Sequence, residues 1–170
     1  MKLVSEKLPD LKALYIKHLR TLLSTEEQAH VGLERLFEVA IDPQLKQVFQ
    51  SDWRESEARV SRARDILRHA TGGTDSLKCK VLHALMEEAE EMSRDSAHDS
   101  VRDAALIAAA QRIKHYEIAL YGTAKRFAEI LGLTWDAELL DRTLQEEQRA
   151  DHLLTNVADH VNQSAAKEAA

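Results

Sequence analysis

Apolar residues recur at steps of three and four along almost the whole chain, and that single period confines it to helices. The first stripe runs Leu11, Tyr15, Leu19, Leu22, then Glu26 and His30, then Leu33, Phe37 and Ala40. Such steps keep one face of a helix apolar. A helix over residues 9–40, with Pro9 in its first turn, would be roughly 45 Å long at 1.5 Å per residue. Asp42-Pro43 is the strongest start signal, because Asp can cap a helix and Pro fits a first turn that needs no donor. The second stripe is Leu45, Val48, Phe49, Asp52, Ser56, Arg59, Ala63 and Ile66, ending before Thr71-Gly72-Gly73-Thr74. A short stripe, Leu77 to Met92, follows. Ser100 to Asp103 reads as a capping box for a fourth segment, with stripe Leu106, Ala110, Ile113, Glu117, Leu120, Ala124, Phe127 and Leu131, closed by Gly132. Thr134 is placed to cap the last helix, whose stripe is Leu140, Thr143, Glu147, Asp151, Leu154, Val157 and Val161.

Four long helices therefore surround one short one. The short helix falls between the second and third long helices, and each outer pair is joined by a tight turn. Two hairpins linked by a long crossover give an all-α, ferritin-like four-helix bundle with a short fifth helix in the crossover. The expected domain spans residues 1–162, with 163–170 as a flexible tail.

Composition narrows the function. Five Gly and two Pro leave too few turns for a many-stranded β fold. A net charge of −6 argues against nucleic acid as a partner, since phosphate neutralisation needs a basic face. No uncharged run approaches the roughly 18 residues of a membrane span. Met1 to Asp10 has no apolar stretch of the signal-peptide kind. The single Cys79 rules out an internal disulfide and a cysteine-built zinc site. These features together read as cytoplasmic.

Chemistry, if present, lies where acids interrupt the stripes. Each long helix carries an acid near its middle, on the apolar stripe or one step from it: Glu26, Glu55 beside Asp52, Glu117, and Glu147 with Asp151. Antiparallel packing brings these to one depth, where isolated carboxylates are costly. Bridged divalent cations are the usual solution in such bundles, built from Glu and Glu-x-x-His. Here Glu27-x-x-His30 fits that spacing, whereas the stripe favours Glu26 with His30 at i+4. Glu147 has no His three residues on. The competing reading is an ordinary buried hydrogen-bonded core. Glu87-Glu88 and Glu90-Glu91 read as a solvated face.

From Leu22 to Thr155 the chain resembles the YciE/YciF family of bacterial ferritin-like stress proteins. The carrying segments include Leu22-Leu23-Ser24-Thr25-Glu26-Glu27-Gln28, Val101-Arg102-Asp103-Ala104-Ala105-Leu106-Ile107-Ala108-Ala109-Ala110-Gln111 and His115-Tyr116-Glu117-Ile118-Ala119. The resemblance implies a stress-response protein that forms a homodimer or meets another stress protein. It also implies a two-metal centre of iron, or manganese, for oxygen, peroxide or iron-oxidation chemistry. Carried over by position, the metal ligands are Glu26, Glu55, Glu117, Glu147 and Asp151, with His115 close by. Where family members carry His, Gln or His, and Glu, this chain has Asp52, Arg59 and Lys114. An internal Arg59 and Lys114 would take the place of part of the metal charge, weaken the site, and keep the acids ionised. The alternative expectation is a metal-free structural or interaction protein of the same fold.

Overall fold

The described residues form five helices: α1 (Leu11–Val39), α2 (Pro43–Thr71), α3 (Lys80–Asp95), α4 (Asp99–Ile130) and α5 (Thr134–Lys167). The computed structural model describes residues 7–168; Met1–Glu6 and, at the end of the expected tail, Ala169 and Ala170 lie outside them. Among the described residues there is no strand, and no helix is long and apolar enough to cross a membrane.

The helix ends follow local chemistry. Asp10 caps α1 by accepting from the Ala13 N–H at 2.7 Å, so Pro9 lies just outside the helix rather than in its first turn. Asp42 caps α2, accepting from the N–H groups of Gln44 and Leu45 at 2.9 and 3.0 Å, with Pro43 in the first turn. Gly72, at φ 77°, ends α2 in the left-handed region where glycine is at no disadvantage. Gly132, at φ 73°, does the same for the α4–α5 turn. Two expected caps fall elsewhere. Thr134 is the first residue of α5, not its cap. Asp103 does not close a capping box with Ser100. It is almost wholly buried, and its carboxylate accepts from the backbone N–H of Ile41 at 3.0 Å and of Asp42 at 2.6 Å. The acid thus latches the α1–α2 turn to α4. At the other end, α5 continues as helix past Asn162 to Lys167.

α1 with α2, and α4 with α5, form the two hairpins; α1 also packs on α4 and α2 on α5, closing a four-helix bundle. The connection from α2 to α4 carries α3, which lies across α4 and α1. This is the ferritin-like plan. Its core is layered. One apolar cluster holds Tyr15, Leu19, Leu22, Ile66, Tyr121 and Leu140; the other holds Leu33, Leu45, Phe49, Leu106, Leu154 and Val161. Each fully buried Leu contributes about 2 kcal/mol. On every long helix buried polar residues lie between these two clusters, and Ala29 and Ile113 at that level belong to a third, smaller apolar cluster with Cys79 and Leu82.

Candidate functional site: a buried ionic layer

Four carboxylates meet at mid-bundle, one from each long helix: Glu26 (α1), Asp52 (α2), Glu117 (α4) and Glu147 (α5). The three Glu are 0% exposed and Asp52 is 7% exposed. Helical spacing explains why they converge, since each sits on the stripe that faces the partner helices. Two cations lie among them, Arg59 from α2 and Lys114 from α4, each at most 2% exposed.

Lys114 reaches three of the four carboxylates. Its Nζ lies 2.6 Å from Glu147 Oε2, 2.9 Å from Asp52 Oδ2 and 3.1 Å from Glu117 Oε2. Arg59 Nη2 donates to Asp52 Oδ1 at 2.5 Å and to the Asp52 carbonyl at 3.2 Å. Its Nε lies 2.8 Å from Glu147 Oε1 and 3.8 Å from Glu26 Oε2. From the apolar layer above, the Tyr121 hydroxyl donates to Glu26 Oε1 at 2.7 Å.

Burial and charge divide the acids into two kinds. For Asp52, burial pushes the pKa up, but Lys114 and then Arg59 overcome it and hold the group below the ordinary aspartate value. For Glu26, burial and then the Glu147 charge prevail over Arg59, the Tyr121 hydrogen bond and Lys114, raising the pKa from 4.5 to about 7. Glu117 is raised well above the usual range by burial and by Glu147, with Lys114 opposing. The Lys114 ammonium is itself held charged, because Asp52, Glu117 and Glu147 outweigh the cost of its burial. The cations therefore do not hold every acid below its ordinary range: burial and the Glu147 charge favour the protonated form of Glu26 and Glu117, while Lys114 and Arg59 favour the ionised form of Asp52.

Of the carried-over ligands, the structure brings Glu26, Glu117 and Glu147 together and leaves three outside. Glu55 is exposed and lines a cleft between α2 and α5. It sits three residues past Asp52, on the flank of the stripe, so Asp52 supplies the acid from α2. His115 is exposed on α4 and pairs with Asp151 of α5, Nε2 to Oδ2, at 3.2 Å. His30, the other histidine near the layer, contacts Ser56 Oγ at 2.6 Å.

Two metal ions do not fit this layer. None of these imidazoles reaches it, and Lys114 and Arg59 already lie between the carboxylates. Two divalent ions would leave the cluster with a net charge of +2 even with every acid ionised, at a depth where uncompensated charge is expensive. A smaller site is compatible with the geometry. Glu26, Glu117 and Glu147 each offer an oxygen within 4.8 Å of the others, so this triad could hold one metal ion. Glu117 Oε1 is buried without a hydrogen-bond partner, whereas Glu147 Oε1 and Glu26 Oε2 face Arg59 Nε at 2.8 and 3.8 Å.

Two polar ties went unread in the sequence. Buried Asp136, in the first turn of α5, accepts from the Tyr15 hydroxyl at 2.8 Å, and its other oxygen lies 2.7 Å from His69 Nδ1. Cys79 caps α3, its Sγ accepting from the Leu82 N–H at 3.4 Å and lying 3.2 Å from the Tyr116 hydroxyl. For Asp136 the available signal was its place in a helical first turn, where acids are favoured.

Comparison with known proteins matches this architecture. The family model described as a domain of unknown function, DUF892, matches residues 10–167. Protein YciF of Escherichia coli strain K12 is 36% identical over 158 residues, covering 92% of this chain and 95% of that protein. The crystal structure of the E. coli stress protein YciF superposes with a TM-score of 0.85 at 34% identity, covering 92% of this chain and 99% of that one. YcfI of Rhodopseudomonas palustris, described as a candidate structural protein, superposes with a TM-score of 0.86 at 30% identity, covering 89% and 96%.

Proposed function

The chain belongs to the DUF892 family, with E. coli YciF among its relatives, and from that premise we propose that it is a structural stress-response bundle whose ionic layer works without metal. One observation carries this reading: Lys114 Nζ sits within 3.1 Å of three carboxylates from three helices. Lys114 and Arg59 supply in fixed, covalently attached form the positive charge that a metal centre would import. A proton on Glu117 and, below about pH 7, one on Glu26 complete the balance. The layer then contributes alignment of the helices rather than turnover, and the protein acts through its outer surface, as a homodimer or against another stress protein. The description of YcfI as a candidate structural protein supports this reading.

The Glu26–Glu117–Glu147 triad favours a second reading, a single divalent ion taken up as two protons leave. That exchange would leave the layer neutral, with the three Glu holding the ion beside Lys114. Such an ion would supply Lewis-acid or redox character; the chain would supply a dry, rigid cavity.

Elemental analysis separates these readings. Protein purified from medium supplemented with iron and manganese should carry well under one ion per chain. The double variant Arg59→Gln, Lys114→Glu should carry more metal than the parent. Two ions per parent chain, or no gain in the double variant, would overturn the metal-free reading; one ion per chain would establish the second.

A further inference from the structure

Away from the ionic layer, at the open end of the α1–α2 hairpin, a groove of about 440 Å³ lies between the start of α1 and the last turn of α2. Four cations line it, Lys7, Lys12, Lys17 and Arg20, and no carboxylate does. Leu8 and Ile16 supply an apolar floor among them, and Leu8 is 42% exposed.

Three of these charges have no counter-ion. No described residue makes an ion pair or a side-chain hydrogen bond with Lys7, Lys12 or Lys17. Asp10, between Lys7 and Lys12 in sequence, turns its carboxylate to the Ala13 N–H at 2.7 Å to cap α1, and the first turn of α1 carries no acid. Elsewhere on the surface the cations are answered: Arg35 by Glu90, Arg112 by Glu88, Arg126 by Glu129. On a chain of net charge −6 the groove is thus a local reversal of sign. Like charges round a concave surface raise its potential, and an anion from outside lowers it.

We propose that this groove docks an acidic segment of a partner protein, an extended stretch in which carboxylates flank an apolar side chain. The dimensions set its length. Lys12 and Arg20 lie roughly 12 Å apart along α1 at 1.5 Å per residue. An extended chain covers that in about four residues at 3.3 Å each, and reaching Lys7 adds one or two. The apolar floor argues for a peptide over a phosphate-rich ligand, which would leave Leu8 and Ile16 in water. No aromatic side chain lines the groove for bases to stack on. The cations surround a concavity, whereas a lipid surface calls for a projecting face. This inference rests on the reading of the protein as one that acts through its outer surface, and it names the chemistry of what that surface meets.

NMR titration of the isotope-labelled full chain with the capped peptide Glu-Leu-Glu-Glu-Leu-Glu, at low salt, tests this. Amide shifts should saturate and be confined to the groove, at residues 12–20 and 70–71. An exposed ion pair contributes up to about fivefold in affinity. Lys12→Glu with Lys17→Glu exchanges two attractions for two repulsions and should weaken the peptide about tenfold or more. Leu8→Ser should weaken it too, yet spare the glycine analogue Glu-Gly-Glu-Glu-Gly-Glu. Leu8, Lys12 and Lys17 are exposed or half-buried, so the circular dichroism of both variants should match the parent. No saturable shift, shifts centred elsewhere, or affinity unchanged by the double variant would overturn the proposal. So would equal affinity for Lys-Leu-Lys-Lys-Leu-Lys or for the glycine analogue, or tighter binding of tripolyphosphate, oligothymidylate or phosphatidylglycerol vesicles. Sedimentation showing that the free chain self-associates through Lys12 and Lys17 would make a second copy the occupant and overturn it as well. Metal content bears on none of these outcomes, so failure here leaves the account of the ionic layer standing.

Discussion

Lys114→Met is the sharpest test of the ionic layer. Methionine keeps an unbranched chain of similar reach and removes only the charge. The loss strips one cation from contact with Asp52, Glu117 and Glu147, at 2.9, 3.1 and 2.6 Å. Removing one partner of a buried pair costs about 3–5 kcal/mol, because the other is left as an uncompensated charge. Three carboxylates share this ammonium, so the upper half of that range applies, about 4 kcal/mol near pH 7.5. That is a large fraction of the roughly 5–15 kcal/mol that holds a domain together. The sign of the pH effect follows from protons. With the ammonium gone, the layer can regain balance only by binding a further proton, so the folded variant takes up more protons than the folded parent. Its deficit should therefore shrink as pH falls, to about half near pH 5. Urea unfolding of parent and variant at both pH values, with matched m-values, measures the two differences. A deficit under about 1 kcal/mol near pH 7.5, or one that stays constant with pH, would refute the account of Lys114 as the hub of the layer.

Two further outcomes are expected. Glu26 has a folded-state pKa raised from 4.5 to about 7, so its contribution to stability is full below about pH 4.5 and is lost as pH rises through about 7; Glu26→Gln should flatten that part of the stability profile, worth roughly 3 kcal/mol, in a pH series of urea unfolding curves. Asp103→Ala leaves the Ile41 and Asp42 N–H groups without their acceptor and should cost about 2–3 kcal/mol by thermal or urea unfolding, with hydrogen exchange at those two amides rising most.

Most of the fold could be read from periodicity, because helices in a bundle must each present one apolar stripe. Asp42-Pro43, Gly72 and Gly132 fixed three ends through local stereochemistry alone. The spacing of Asp103 from Ser100 also fits a cap, and only packing shows that the acid faces the neighbouring turn. The site was half legible. Glu26, Glu117 and Glu147 lie on their stripes and are buried as that placement implies. Asp52 and Arg59 lie on the α2 stripe too, seven residues and nearly two turns apart; Glu55 entered by positional resemblance and stands off that face. Lys114, three residues before Glu117, is expected to share its inward face, and it does, buried 3.1 Å from Glu117; the stripe alone points less clearly. Lys114 lies one position from Ile113 on a helix surrounded by α1, α3 and α5, where even the flank of the stripe is enclosed. A lysine beside an apolar face ordinarily reaches solvent, and single-helix periodicity does not reveal how many neighbours that helix has.

The layering of the core also decides how the rods may slide. Leucine and alanine surfaces mesh almost equally well after a shift of one turn, about 5.4 Å along the axis. Glu26, Asp52, Lys114 and Glu147 do not, because the same shift would separate each from its counter-charge and strand it in hydrocarbon. The central ions thus act as a keyed lock on a shaft that greasy packing alone would leave free to creep, selecting one alignment of four helices from several of similar apolar burial.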